Sequence, residues 1–121
     1  MPLPAPRRGE IWTAHLGERR ERHWVLIVSL DGRNQSDRID SVLVVPFSSR
    51  AAEAPTILPL EPGETGLPGT SYLRGHFITT LPKQRLAERQ PRSLSARRMR
   101  EVVTIIRRAF DPDAPYESQP E

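Results

Sequence analysis

Ser41-Val42-Leu43-Val44-Val45-Pro46-Phe47 is the stretch on which the fold turns. Four aliphatic residues in succession, three of them β-branched, fit a strand buried on both faces. The proline behind them has no N–H to give a ladder, so pairing must end or bulge at Pro46. On the N-terminal side, Trp24-Val25-Leu26-Ile27-Val28-Ser29 reads as a second, central strand, broken by Asp31-Gly32. Before it, Glu10 to Leu16 alternates, with Trp12, Ala14 and Leu16 on one face and Ile11, Thr13 and His15 on the other. The charged segment Gly17 to Arg22 supplies the turn between these two strands. On the C-terminal side, Thr56 to Leu60 reads as a weaker edge strand. Glu61 to Thr70 holds prolines and glycines too densely for regular structure and reads as a loop. Ser71 to Thr80 returns to strand, with Tyr72, Arg74, His76 and Ile78 on one face.

From Ser95 the period becomes helical. Met99, Val102, Val103, Ile106, Ala109 and Phe110 form an apolar stripe opposite Arg97, Arg100, Arg107 and Arg108, and Asp111-Pro112 ends the helix. The expected fold is therefore mainly β with a C-terminal α-helix, the strands forming a curled sheet or small barrel. Three segments are expected: a flexible N-terminal arm over 1–7, one domain over 8–110, and an acidic disordered tail over 111–121.

With no cysteine, the 121-residue chain has no disulfide, thiolate metal site or cysteine nucleophile. No run is long enough to span a bilayer and no signal-peptide core opens the chain, so a soluble, cytoplasmic protein without membrane contact is expected. Of 18 basic residues only Lys83 is lysine. Arginine's planar fork suits phosphates and stacks on bases, so the balance points toward nucleic acid, although an arginine-rich genome would produce it as well. Asp111, Asp113, Glu117 and Glu121 account for −4 of a net +3, which leaves +7 on the rest of the chain.

There is no glycine-rich phosphate loop, no His-Glu-x-x-His helix and no paired-cysteine spacing, so neither a metal nor a cofactor is expected. Chemistry then falls to His15, His23, His76, the arginines and a few hydroxyls. Histidine exchanges protons near neutral pH, and His76 two residues from Arg74 would set a proton carrier beside a fixed cation, as a phosphoryl transition state requires. Plainer readings stand beside these. Trp12 and Trp24 suit core and dimer packing better than base-stacking platforms, Ser48 a strand-ending cap, Asn34 a turn, and the helix arginines a solvated face rather than an RNA-binding one.

Several motifs together resemble the MazF/PemK toxins of type II toxin-antitoxin systems. They are Arg8-Gly9-Glu10-Ile11-Trp12, Val25-Leu26-Ile27-Val28-Ser29, Val45-Pro46-Phe47-Ser48-Ser49, Glu64-Thr65-Gly66-Leu67-Pro68, Ser71-Tyr72, Lys83-Gln84-Arg85-Leu86 and Leu94-Ser95, in the family's order from about Arg8 to Phe110. The resemblance implies a small curved β-barrel of the MazF/PemK/CcdB type, a homodimer whose groove binds single-stranded RNA, and a cognate antitoxin with an acidic segment. It also implies a metal-independent endoribonuclease in which the 2′-hydroxyl attacks the adjacent phosphate. Ser48 matches the hydroxyl that ends the family's third strand, and Arg74 matches an arginine that serves catalysis in the PemK branch. His76 stands where that branch has an acid, and His23-Trp24 where the family usually has arginine and proline. The catalytic set this implies is His23, Ser48, Arg74 and His76, with Arg22, Arg50 and Thr79 as RNA-binding residues. The same fold also admits a non-catalytic RNA- or protein-binding module, or a CcdB-type gyrase inhibitor.

Overall fold

A computed structural model of the chain describes residues 4–18 and 21–114. Among these residues are seven strands: β1 (Glu10–Leu16), β2 (Glu21–Ile27), β3 (Ser41–Ser48), β4 (Ile57–Leu60), β5 (Ser71–Arg74), β6 (Thr79–Pro82) and β7 (Leu86–Ser93). Single helical turns lie at α1 (Asp31–Asn34) and α2 (Pro62–Thr65), and the long helix α3 spans Ala96–Phe110. The strands pair antiparallel in the order β4-β5-β3-β2-β1-β7, with β6 also on β3. The sheet curls without closing into the barrel that the resemblance implies, because β4 and β7 each end the path.

Two apolar clusters explain why β2 and β3 read as unbroken hydrophobic runs. Ile11, Leu26, Val45, Phe47 and Leu73 pack with Met99, Val102 and Ile105 of α3 on one face. Trp12, Val25, Ile27, Val42 and Val44 pack on the other with Leu81 of β6 and Leu86 of β7. Those last two strands do not pair with each other, so the curl itself brings them onto one cluster. Consecutive side chains serve opposite faces, and both faces are dry.

β2 begins three residues before the expected Trp24, because β1 holds it in register from Leu16 opposite Glu21 onward. The proposed strand Ser71 to Thr80 is two strands. Leu73 lies opposite Phe47 and Thr79 opposite Val44, so five residues of this segment face two of β3. The surplus forms the 3₁₀ turn Gly75–Phe77, and strict alternation from Tyr72 to Ile78 is lost. Gly75 makes that turn possible, since a Cβ there would stand 2.4 Å from the Ile105 carbonyl oxygen of α3.

The loop expected over Glu61 to Thr70 contains the helical turn α2. Its first proline needs no N–H donor, Glu61 and Glu64 form a reciprocal capping box, and Gly66 ends it in the left-handed region at φ 77°. The apolar stripe of α3 is also rotated from the expected one. Ile105 is buried, whereas Val103, Ala109 and Phe110 are exposed, because Gly75 draws the helix to the sheet along the line Met99, Val102, Ile105. Arg97 and Arg100 are solvated as expected. Arg107 instead pairs with Asp111 at 2.9 Å, and Arg108 donates to the Pro55 carbonyl at 3.0 Å.

At the N-terminus, Pro6 is buried and its carbonyl accepts from the Gln35 amide at 3.1 Å. Residues 1–3 of the proposed arm and 115–121 of the proposed tail lie outside the described residues. No helix among the described residues is long and apolar enough to cross a membrane.

Candidate functional site

Pro46 decides where the molecule opens. β2 and β3 pair only through Val25 opposite Pro46, Leu26 opposite Val45 and Ile27 opposite Val44. Beyond Pro46, β3 turns to β5, with Phe47 opposite Leu73 and Ser48 opposite Tyr72. The first half of β2, Glu21 to Trp24, therefore has β1 along one edge and no strand along the other. Between the diverging strands lies a cavity of about 540 Å³. Arg22, His23 and Trp24 wall it from β2, Ser48 from β3, Arg74 from β5 and Phe77 from the 3₁₀ turn.

Alternation along β2 places Arg22 and His23 on opposite faces, yet both line this wedge, because it wraps around the strand's unpaired edge. His23 Nε2 is 3.7 Å from Glu21 Oε1, and both side chains are exposed to solvent. Arg74 is steadied by a bond from Nη2 to the Arg50 carbonyl at 3.1 Å. Ser48 Oγ accepts the Arg50 N–H at 3.1 Å, as a strand-ending cap should, which leaves the hydroxyl proton available to a ligand. Arg50 thus buttresses both neighbours through its main chain while its side chain is exposed.

The proposed set is not brought together whole. His76 lies in the 3₁₀ turn, exposed and outside the wall of the wedge, with Nδ1 hydrogen-bonded to Thr56 Oγ1 at 2.9 Å. The three-residue surplus after Arg74 turns it away from the strand face it was expected to share. Thr79 is exposed on β6 opposite Val44, also outside the wedge. Two further residues reach the wedge, one absent from the sequence reading and one for which packing is the favoured reading over base stacking. Phe77 ends a turn that only the register reveals, and Trp24, read as packing, is 38% exposed at the wall, whereas Trp12 is buried.

Away from the wedge the polar anchors are structural. Arg98 donates to Glu64 at 2.6 Å and to Glu101 at 2.6 Å, fixing α2 to α3. The Arg98 hydrogen bond, then the Glu61 N–H, holds the Glu64 carboxyl below its ordinary value. The bonds to Glu64 and Glu101 raise Arg98 further. Asn34, expected as a turn residue, is fully buried and ties α1 to the end of β2's run. It accepts from Ser29 Oγ at 2.5 Å and donates to the Ser29 carbonyl at 2.9 Å. Among the described residues no group of three or more histidines, aspartates or glutamates is placed to hold a metal ion.

The sheet and the C-terminal helix have counterparts among known proteins. The chain belongs to the PemK-like, MazF-like toxins of type II toxin-antitoxin systems, whose family model matches residues 7–110. Among solved structures it resembles an endoribonuclease from a mycobacterial species in complex with its cognate antitoxin. That pair shares 27% identity with a TM-score of 0.74, over 87% of this chain and 94% of that one. A second mycobacterial endoribonuclease shares 25% identity with a TM-score of 0.72, over 88% and 92% of the two chains. A MazE-MazF structure from Deinococcus radiodurans, at 18% identity and TM-score 0.67 over 82% and 90%, shares the fold. The comparison with curated proteins gave no match.

Proposed function

We propose that this toxin is a metal-independent endoribonuclease that acts in the cytoplasm on single-stranded RNA bound in the wedge. The observation that carries it is the convergence of His23, Ser48, Arg22 and Arg74 on one open cavity. In the reaction the 2′-hydroxyl of the RNA attacks the adjacent phosphorus. The imidazole of His23 takes its proton. Arg74 and Arg22 carry the charge that builds on the phosphorane, and the Ser48 hydroxyl orients a phosphate oxygen. The wedge is open, so the departing 5′-oxygen takes its proton from solvent. His76 contributes from outside the cavity, through Phe77. The antitoxin-bound mycobacterial structure supports a cognate antitoxin for this chain too, with an acidic segment competing for the same arginines, and the chain acts as a homodimer.

Long single-stranded RNA incubated with the chain in excess EDTA tests this reading. Cleavage is expected, with His23→Ala lowering the rate by about 100-fold or more and His76→Ala by far less. The rate should rise with pH along one histidine limb and then level. A bell with a descending limb near neutrality that His76→Ala removes would return the acid role to His76. RNA left intact at high protein concentration would leave a binding-only module.

A further inference from the structure

Trp12 and Trp24 show two uses of the same residue. Trp12 is 1% exposed in a core cluster, and its indole N–H donates to Glu10 Oε1 at 2.9 Å. Trp24 stands in the unpaired half of β2, 38% exposed, on the wall of the wedge. Across the strand divergence Phe77 is 54% exposed on the same cavity. Large aromatic side chains left wet cost hydration free energy, and these two are wet in the company of Arg22 and Arg74.

Phe77 is also held in place. The His76 ring packs against it edge to face, with centroids 4.6 Å apart and planes at 65°. His76 is in turn anchored by Thr56 at 2.9 Å, and Gly75 seats the whole turn against α3. A fixed aromatic face beside arginines is the combination that takes unpaired bases, since every base has a π-face and every nucleotide a phosphate.

We propose that Trp24 and Phe77 are base-stacking residues of the wedge, each receiving an unpaired base of single-stranded RNA whose flanking phosphates lie on Arg22 and Arg74. This rests on the functional reading above and adds to it a recognition role for two residues outside the proton and charge transfers. His76 becomes a positioning residue for Phe77. Stacking of this kind tolerates any base, so sequence preference must come from the polar groups at the cavity rim rather than from these rings.

The test uses the full chain and a 2′-O-methyl oligonucleotide, which lacks the attacking hydroxyl and so separates binding from cleavage. Binding should quench the emission of Trp24, the exposed one of the chain's two tryptophans. Trp24→Ala and Phe77→Ala should each weaken affinity by about five- to a hundredfold. Trp24→Phe should stay within about threefold of the unaltered chain, because the ring face is kept. Removing one base from the oligonucleotide at the stacked position should cost the unaltered chain affinity but cost Trp24→Ala little more. Thermal melts and sedimentation of each variant accompany the titrations. Salt-dependent binding that neither alanine variant changes overturns the stacking role while the functional reading stands. A Trp24→Ala protein that sediments as a smaller species than the unaltered chain assigns Trp24 to contact between copies and overturns it as well. Absence of any binding by the unaltered chain overturns the functional reading, and this one with it.

Discussion

The two halves of β2 have different fates although they are one strand in one register with β1. Val25 to Ile27 lie between β1 and β3 and are fully buried, each face feeding a different apolar cluster. Glu21 to Trp24 keep β1 and lose β3, and three of their side chains reach the wedge. What separates the halves is the partner strand, which stops pairing at Pro46 and leaves for β5. A ladder that ends early thus leaves strand backbone rigid on one edge and open on the other, which suits a site that must hold side chains firmly and still admit a ligand.

The comparison breaks most severely at Gly75. The turn that carries Phe77 and follows Arg74 meets α3 with no space for a side chain, so a methyl group there collides with the Ile105 backbone rather than with a mobile side chain. Gly75→Ala should destabilise the chain by about 3 kcal/mol, lowering the thermal midpoint by more than about 10 °C. It should also cost RNA affinity at temperatures where the variant is folded. An unchanged midpoint would mean that the turn and α3 are not packed as described.

A smaller effect sharpens the same contrast from the buried side. Glu64→Gln weakens the clamp between α2 and α3 without touching the wedge, so stability should fall by about 1 kcal/mol with RNA affinity unchanged. Because the Glu64 carboxyl sits below its ordinary value of 4.5, the pair stabilises the fold above that pH and its contribution is lost as pH falls through the depressed value. Urea melts of the two proteins should therefore differ at pH 7 and converge in acid. A difference that is constant from neutral pH into acid would assign the effect to something other than this ionisation.

Much of this architecture was legible in the sequence where apolar pattern and chain-breaking residues agreed. β1, β3 and α3 fall close to their expected bounds, and the end of pairing at Pro46 follows from a missing N–H. β7 was not legible. Leu86-Ala-Glu-Arg-Gln-Pro-Arg-Ser has no apolar alternation, and it is a strand because β1 offers an edge to it. The rotated stripe of α3 and the 3₁₀ turn share a cause, the contact of Gly75 with Ile105, which joins residues thirty apart and leaves no local pattern. The site follows the same division. Arg74, Ser48 and His23 are placed by strands that could be read, whereas His76 was misplaced and Phe77 missed because both lie in the surplus residues. Asn34 looked like any turn residue, since burial depends on what packs over it.

The central claim is that the wedge, and not the arginine-rich outer face of α3, binds the RNA backbone. Its most direct test is the salt dependence of binding to a 2′-O-methyl oligonucleotide, measured for Arg22→Ala/Arg74→Ala and for Arg97→Ala/Arg100→Ala. Each phosphate contact on a single strand contributes about 0.7 to the slope of log affinity against log salt. The wedge pair should lose about 1.4 of that slope together with most of the affinity, and the α3 pair should bind as the unaltered chain does. The reverse pattern, with the slope lost in the α3 pair and kept in the wedge pair, would contradict the account.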